Sequence, residues 1–316
     1  MAHELRQSYG AIVDAKLRKT LVTRDNYIFN TFYEGLPTSG AVKIPVRDAE
    51  VAVGPYNRAS ATGKALTFGS TAYITAVLSN DVAVNELIDG YEADAVPDNM
   101  VADRLDSAGY NLGLYMEDDA LSTLVLGCNG MDHSGTAFAA GDVRYDVTAA
   151  KAKKGAVVEK TLTSANIYQQ IVELNQKLDE ADVPMDGRYI IVTPATYALL
   201  LQDTTHFIRY GDRSQEMLET GAIGEIIGLK VYRSNVLTSK EVKVAYNNGT
   251  EDRNVEVIAG HPLFATRVEA WKVEPFLKDL NGDATIIGAS AVKGRKIFVH
   301  EVTKPQAFAM IVKEHA

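Results

Sequence analysis

Six histidines are spread along the chain, at His3, His133, His206, His261, His300 and His315, with one cysteine, Cys128. No two histidines stand at i, i+3 or i, i+4, the spacing that lets one helix face present two ligands to a metal. A single thiol makes no internal disulfide and fits a reducing cytosol. Two acids lie close to a histidine, Asp132 beside His133 and Asp203 near His206. Either pair could move a proton, but a polar surface or core contact is the better reading of each. Glu117-Asp118-Asp119 could hold a hard cation, though a solvated or inter-subunit helix face suits it better. No Gly-x-Ser-x-Gly, Walker loop or Gly-x-Gly-x-x-Gly follows a strand. Gly221, Gly224 and Gly228 precede a strand and open no helix, so no phosphate would meet a helix N-terminus there; they read as a flexible loop. The residues predict no catalytic centre, no cofactor and no metal.

Bulk properties narrow the class. At 316 residues there is core enough for one large or two smaller domains, and apolar and charged fractions of 46% and 23% are ordinary for a globular protein. No window holds 18 uninterrupted apolar residues, which excludes a transmembrane helix. Met1-Ala2-His3-Glu4-Leu5-Arg6-Gln7 has no apolar core of an export signal. The net charge of −9, from 41 acids against 32 bases, argues against duplex DNA binding as the main role. The short basic runs at Lys16-Leu17-Arg18-Lys19 and Lys151-Ala152-Lys153-Lys154 read as solvated surface.

The elements are unevenly built. Residues 1–35 form a polar arm dotted with Leu17, Leu21, Tyr27, Ile28, Phe29, Phe32 and Tyr33, too sparse for its own core. From 36 to 77 the chain is drawn out: Val42, Ile44 and Val46 alternate with Lys43, Pro45 and Arg47, and Leu66, Phe68, Tyr73, Thr75 and Val77 return. Gly54 to Gly63 lies between the legs as a loop. A hairpin of roughly 40 residues without a helix is unusual in a compact domain. With no local surface to cover it, it predicts an arm that lies on a neighbouring copy. Val101, Leu105, Ala108, Leu112, Met116, Ala120, Leu121 and Leu124 recur at helical steps and predict a spine helix over about 97–126. Pro97 and Asp98 suit its start and Gly127 and Gly130 its end; Gly109 and Gly113, inside it, would let another element cross closely. An α/β unit follows, with Thr163 or Ser164 capping a helix striped by Ile167, Ile171, Leu174 and Leu178. A buried strand at Arg188–Val192 leads to Thr193-Pro194, a cap and first-turn proline for the next helix. Strand 229–232 comes next, and Asn247-Asn248-Gly249 predicts a hairpin turn. Later strands at 268–273, 284–287, 296–300 and 307–312 lack a following helix, and the spine is their natural packing surface; Trp271 and Phe276 read as core. The fold class is α+β, with residues 161–254 inserted between a spine and its own sheet.

This order of parts resembles the major capsid proteins of tailed bacteriophages, which share the Hong Kong 97 fold with encapsulin shells. Three stretches carry the likeness: Val82-Ala83-Val84-Asn85-Glu86-Leu87-Ile88 ahead of Pro97; Asp182-Val183-Pro184-Met185-Asp186-Gly187-Arg188-Tyr189-Ile190-Ile191-Val192-Thr193-Pro194; and Gly224-Glu225-Ile226-Ile227-Gly228-Leu229-Lys230-Val231-Tyr232-Arg233-Ser234-Asn235-Val236. The resemblance spans about 36–312 and rests on the order of these segments. It implies an N-terminal arm (1–35), an extended loop (36–77), a peripheral domain (78–160 and 255–316) and an axial domain (161–254).

What the resemblance implies is geometric. The subunit would self-assemble into hexamers and pentamers of an icosahedral shell enclosing double-stranded DNA without reading its sequence. Inter-subunit contacts would come from Val42, Lys43, Ile44, Arg47, Asp48, Glu50, Arg58, Lys64, Leu66 and Phe68, and an axial loop at Gly221, Gly224 and Glu225 would face the capsomer axis. Scaffold, portal and decoration proteins are the implied partners, and 35 residues ahead of the hairpin are too few for a built-in scaffold. Some relatives form a lysine–asparagine isopeptide link, for which Lys43 or Lys64 would supply the amine; no partner stands out. Two alternatives stay open at this point: an encapsulin-like compartment shell, and a soluble α/β enzyme or binding module centred on 160–235.

Overall fold

The computed structural model describes residues 28–29, 40–47, 54–60, 63, 71–89, 100–203, 224–239, 243–246, 251–280 and 288–314. They form β1 (Ala41–Arg47), β2 (Thr71–Val77), β3 (Asn80–Asp89), helix α1 (Met100–Cys128), β4 (Tyr145–Asp146), β5 (Lys151–Ala152), β6 (Ala156–Glu159), α2 (Ile167–Glu180), β7 (Tyr189–Val192) and α3 (Pro194–Gln202). After these come β8 (Glu225–Ile226), β9 (Leu229–Arg233), the single turn α4 (Val236–Ser239), β10 (Lys243–Tyr246), β11 (Glu251–Gly260), β12 (Ala265–Asp279), β13 (Ala289–Val302) and β14 (Ala309–Val312). His3, Asp48, Glu50, Lys64, Leu66, Phe68, His206, Gly221, His315 and segments 97–99, 247–249 and 284–287 lie outside the described residues.

The spine α1 has 29 residues, a length of about 43 Å. Leu105, Leu112, Met116, Ala120, Leu121 and Leu124 are buried at the predicted spacing. Gly109 and Gly113 are buried too. Gly130, at φ +85, closes the helix: its N–H reaches Gly127 O at 3.1 Å and Met131 N–H reaches Leu126 O at 2.9 Å, the paired bonds of a glycine C-cap. Gly127 lies inside the helix for a different reason. A Cβ there would stand 2.6 Å from Val302 Cγ2, so the helix backbone packs directly on the Val302 side chain at the end of β13.

A three-stranded antiparallel sheet, ordered β12-β13-β3, packs on the spine. Side chains alternate along β13, and each face is covered by something different. Phe298 joins Leu112 and Met116 of α1, with Val82, Val84 and Trp271 around them. Val299, one residue on, joins Val268, Ile44, Ile74 and Ala76, which puts the base of the β1–β2 hairpin on the opposite face. Trp271 packs as predicted, whereas Phe276 is an exposed side chain, 36% accessible.

The second sheet has seven strands, in the order β6-β14-β11-β7-β9-β8 with β10 paired to β11. β7, Tyr-Ile-Ile-Val, is buried at all four positions because β11 and β9 flank it and both its faces are covered. The predicted stripe Ile167, Ile171, Leu174 and Leu178 is fully buried against this sheet together with Ala120, Leu121, Leu124 and Val125 of the spine. Pairing therefore joins β6, β11 and β14 to β7 and β9, across the divisions at 160 and 254 drawn from the sequence. The β10–β11 pairing, Tyr246 opposite Glu251, is that of the expected hairpin. Two strand connections link the sheets, 261–264 and 303–308. They are tied to each other where Thr303 N–H and Oγ1 both donate to Phe264 O, at 2.8 and 3.0 Å.

Local signals resolve into specific contacts. Thr193 Oγ1 accepts from Thr196 N–H, and Pro194 occupies the first turn of α3, as predicted. The expected cap of α2 at Thr163 or Ser164 is corrected: the helix is entered through Asn166, whose Oδ1 accepts from Thr163 N–H at 2.8 Å in the preceding turn. The Val-Pro, Gly-Arg phrase also acquires a cause. Arg188, 2% exposed, donates from Nε to Pro184 O (2.9 Å), from Nη2 to Val183 O (2.6 Å) and Asp179 (2.7 Å), and from Nη1 to Asn175 Oδ1 (2.6 Å). One planar guanidinium thus pins the end of α2 and its loop to the start of β7, while Gly187, at φ +86, supplies the left-handed turn before it. Arg188→Lys keeps the charge and loses the fork. It is expected to lower the unfolding free energy of the dissociated subunit by roughly 1.5–3 kcal/mol, read by urea denaturation.

Candidate functional site

The three described histidines, His133, His261 and His300, are all held by protein groups. His133 Nδ1 lies 2.7 Å from Glu301 Oε2, and the same buried carboxylate meets Arg144, which Asp142 also grips at 2.8 Å. The hydrogen bond to Glu301 is the main cause that holds His133 above its ordinary pKa of 6.5, against the opposing effect of burial. Asp132 turns away and caps its own loop, accepting from Ser134 N–H and Thr136 N–H at 2.9 Å each. The Asp132–His133 pair is thus two separate structural contacts. Asp203 is buried at the end of α3.

A second pair, invisible in the sequence, joins His300 to Asp119 across 181 positions. His300 Nδ1 lies 2.6 Å from Asp119 Oδ2, and Arg267 Nε donates to His300 Nε2 at 2.8 Å, so the ring is neutral with its proton on Nδ1. Burial, then the Arg267 charge, push its pKa below 6.5; Asp119 pulls the other way. Burial alone would raise Asp119, and the hydrogen bonds of His300 and Asn80 bring it below the carboxylate value. His300 is fully buried, so no substrate reaches it. Glu117 is also buried, which corrects the solvated reading of the acidic triplet: Glu117 and Asp119 face the protein. His261 donates through Nε2 to Asp186 O at 2.7 Å and accepts through Nδ1 from Leu263 N–H, and burial holds its pKa low. Burial pushes the Cys128 thiol up to about 12, so it is no nucleophile at neutral pH. Among the described residues, no three His, Cys, Asp or Glu side chains gather to hold a metal.

What remains is surface. The hairpin pairs in register from Ala41–Val77 to Arg47–Thr71. Ile44, Ile74 and Ala76 turn inward onto β12 and β13, with Val42 and Val46 beside them, so the expectation that the arm had nothing local to pack on is corrected at its base. Ile44, at 4% exposure, anchors within its own chain and is not available to a neighbour. Outward, Lys43, Pro45, Tyr73, Thr75 and Val77 are exposed, Tyr73 at 58% and Val77 at 53%. Residues 54–60, including Arg58, are exposed as well, with Tyr56 at 63% and Asn57 Oδ1 accepting from Ala59 N–H in a local turn. A groove of about 740 Å³ beside the hairpin base is lined by Pro45, Arg144, Lys153, Phe264 and Lys304, whose charged groups are already held by protein partners.

Gly224 and Glu225 are exposed at the start of a tight β8–β9 turn. Its two central residues, Ile227 and Gly228, both have positive φ, +51 and +75, the backbone of a two-residue hairpin turn. Of the glycine run, Gly228 thus sits in a tight hairpin turn where a flexible loop was expected, while Gly221 lies outside the described residues. A β-branched residue is costly in this backbone, and Ile227 is 41% exposed. Ile227→Gly is expected to stabilise the isolated subunit by about 1 kcal/mol, measured by urea denaturation. His133→Gln should act in a pH-dependent way. A raised folded pKa gives stability that is whole below 6.5 and lost as pH rises through the folded value. The substitution should therefore cost about 1 kcal/mol at pH 6 and markedly less at pH 9.

Comparison with known proteins follows the same direction. The family model described as phage capsid protein matches residues 91–311, more than two thirds of the chain. The capsid of cyanophage P-SCSP1u is similar at 13% identity and a TM-score of 0.65, over 92% of this chain and 88% of that one. A structure from Mycobacterium phage Che8 shares 15% identity at a TM-score of 0.58, over 86% and 84%. The capsid of an empty GTA particle shares 12% at 0.58, over 95% and 90%. At such identities the structures speak for the fold. Among curated proteins, no sequence matches the chain. The likeness favours a phage coat over the compartment shell or the soluble enzyme entertained from the sequence. Since the family model runs from the approach to the spine through to β14, the chain belongs to the phage capsid protein family, as a major capsid protein of the Hong Kong 97 type.

Proposed function

We propose that the subunit assembles, in the cytoplasm of a bacterial host, into hexamers and pentamers of an icosahedral shell that encloses double-stranded DNA. The role is geometric and non-enzymatic, and the shell holds DNA without sequence-specific contacts. In this reading the spine and three-stranded sheet are the peripheral domain, the seven-stranded sheet with α2 and α3 is the axial domain, and the β8–β9 turn faces the capsomer axis. Scaffold, portal and decoration proteins are its further partners.

One observation carries this: the two faces of the hairpin differ. Its inner face is fixed by Ile44, Ile74 and Ala76, while Tyr73 and Val77 stand open on the outer face. An apolar stripe held rigidly in solvent suits a partner surface, and an identical subunit supplies the same patch at every site of a closed shell. Lys43 is exposed beside it, opposite Thr75, and Arg58 is exposed in the 54–60 loop; rim ion pairs from such residues contribute about 0–1 kcal/mol each. Arg47, Asp48, Glu50, Lys64, Leu66 and Phe68 complete the proposed contact set. Contacts that are individually weak let a misplaced subunit leave, while their number stabilises the finished wall.

Tyr73→Asp with Val77→Asp is the direct test. Both side chains point away from the subunit core, so the unfolding midpoint should move by no more than about 0.5 kcal/mol per site. Particle formation, read by sedimentation and negative-stain microscopy, should be abolished. Shells formed at the wild-type yield would remove the hairpin face from the assembly interface.

A further inference from the structure

The fully buried His300 does no chemistry, yet it is placed where protonation has a mechanical consequence. Its ring lies in the seam between α1 and β13, with both nitrogens engaged: Nδ1–H donates to Asp119 on the helix, and Nε2 accepts from Arg267 on β12. Over it lies Phe29, from the N-terminal arm. The Phe29 ring is 4.9 Å from the imidazole and 5.4 Å from the Arg267 guanidinium carbon, and it is fully buried. Ile28 beside it belongs to the main apolar core, with the C-terminal half of the spine. So Phe29 covers a histidine–arginine pair, and Ile28 beside it is anchored in the apolar core.

The neutral ring is the only form that satisfies all these partners. A proton on Nε2 removes the acceptor that Arg267 uses and sets two cations 2.8 Å apart in a space closed to water. The charged groups facing His300 are Asp119 from the helix and Arg267 and Glu269 from β12; on its own strand, Glu301 points to the opposite face, towards Arg144 and His133. Asp119 is the near counter-charge to an imidazolium, but it already accepts the Nδ1 proton, so protonation brings it no new bond.

We propose that His300 is an acid-operated latch for the N-terminal arm: neutral, it closes the seam under Phe29; protonated, it forces Arg267 and the ring apart and releases the Ile28–Phe29 segment. The sign follows from the lowered folded pKa. Protons are taken up preferentially by the open form, so closure is complete well above 6.5 and weakens progressively as the pH falls below it. Release of Ile28 and Phe29 changes the subunit in response to acid without any covalent change.

Hydrogen exchange of peptides containing Phe29, corrected for intrinsic rates, tests the latch on the full-length dissociated subunit. Between pH 7.5 and 5.0 the wild type should lose at least tenfold in protection there, while peptides of β7 should hold theirs. His300→Gln should flatten that response, and His133→Gln and His261→Gln should leave it in place. Asp119→Asn removes the carboxylate that favours the imidazolium and should shift the opening to lower pH; it decides the matter by itself if His300→Gln does not fold. Unchanged protection in the wild type at pH 5.0, an intact response in His300→Gln, or an unshifted one in Asp119→Asn would overturn the proposal.

Discussion

Strand β13 is covered on both sides, and most of the structure is arranged around that constraint. Towards α1 it presents Phe298 and His300; towards the hairpin base and the loop after the spine it presents Val299 and Glu301. With both faces covered, polar side chains on this strand need partners from far along the chain, because a buried charge left unpaired is severely destabilising. Glu301 takes Arg144 and His133, and His300 takes Asp119 and Arg267. The result is a polar seam that fixes the register of the helix on the sheet, where apolar contacts alone would allow sliding. The same strand also gives the base of the hairpin its footing, through Val299 against Ile44, Ile74 and Ala76.

How much of this could be read from the residues depends on range. Periodicity found the spine and the α2 stripe because helical burial repeats within a few residues. Thr193-Pro194 was legible as a cap for the same reason. The hairpin was legible as paired strands, but its two faces were not distinguished. Ile44 and Tyr73 are both apolar members of an alternating run, and only the presence of Val268 and Val299 decides which one is buried. Pairings across great separations left no mark: β14 enters the same sheet as β7, and Asp119 finds His300, without any local signal. Glu117 and Asp119 looked like solvent-facing acids because acids usually are; here Glu117 meets Ser234 just after β9 and Asp119 meets His300 on β13. The Val-Pro, Gly-Arg phrase stood out as a pattern, and its cause, one guanidinium bonding two successive carbonyls and an amide, became visible only in three dimensions.

A coat subunit must be firm within itself and adaptable towards its copies. Firmness is concentrated where Arg188 and the polar seam lock loops to strands. At the exposed β8–β9 turn the balance is reversed: Ile227 keeps an apolar side chain in a backbone conformation that favours glycine. Local stability is given up there, which is the pattern expected where an exposed side chain serves an external contact.

The tie between the two crossings, Thr303 to Phe264, has a mechanical side. A wall stretched by packed contents pulls each subunit sideways, and strain must travel from one sheet to the other. The crossings are braced to one another and the helix end packs on Val302, which couples the two sheets. In the proposed shell, tension would then pass to the joints between molecules and spare the covalent chain.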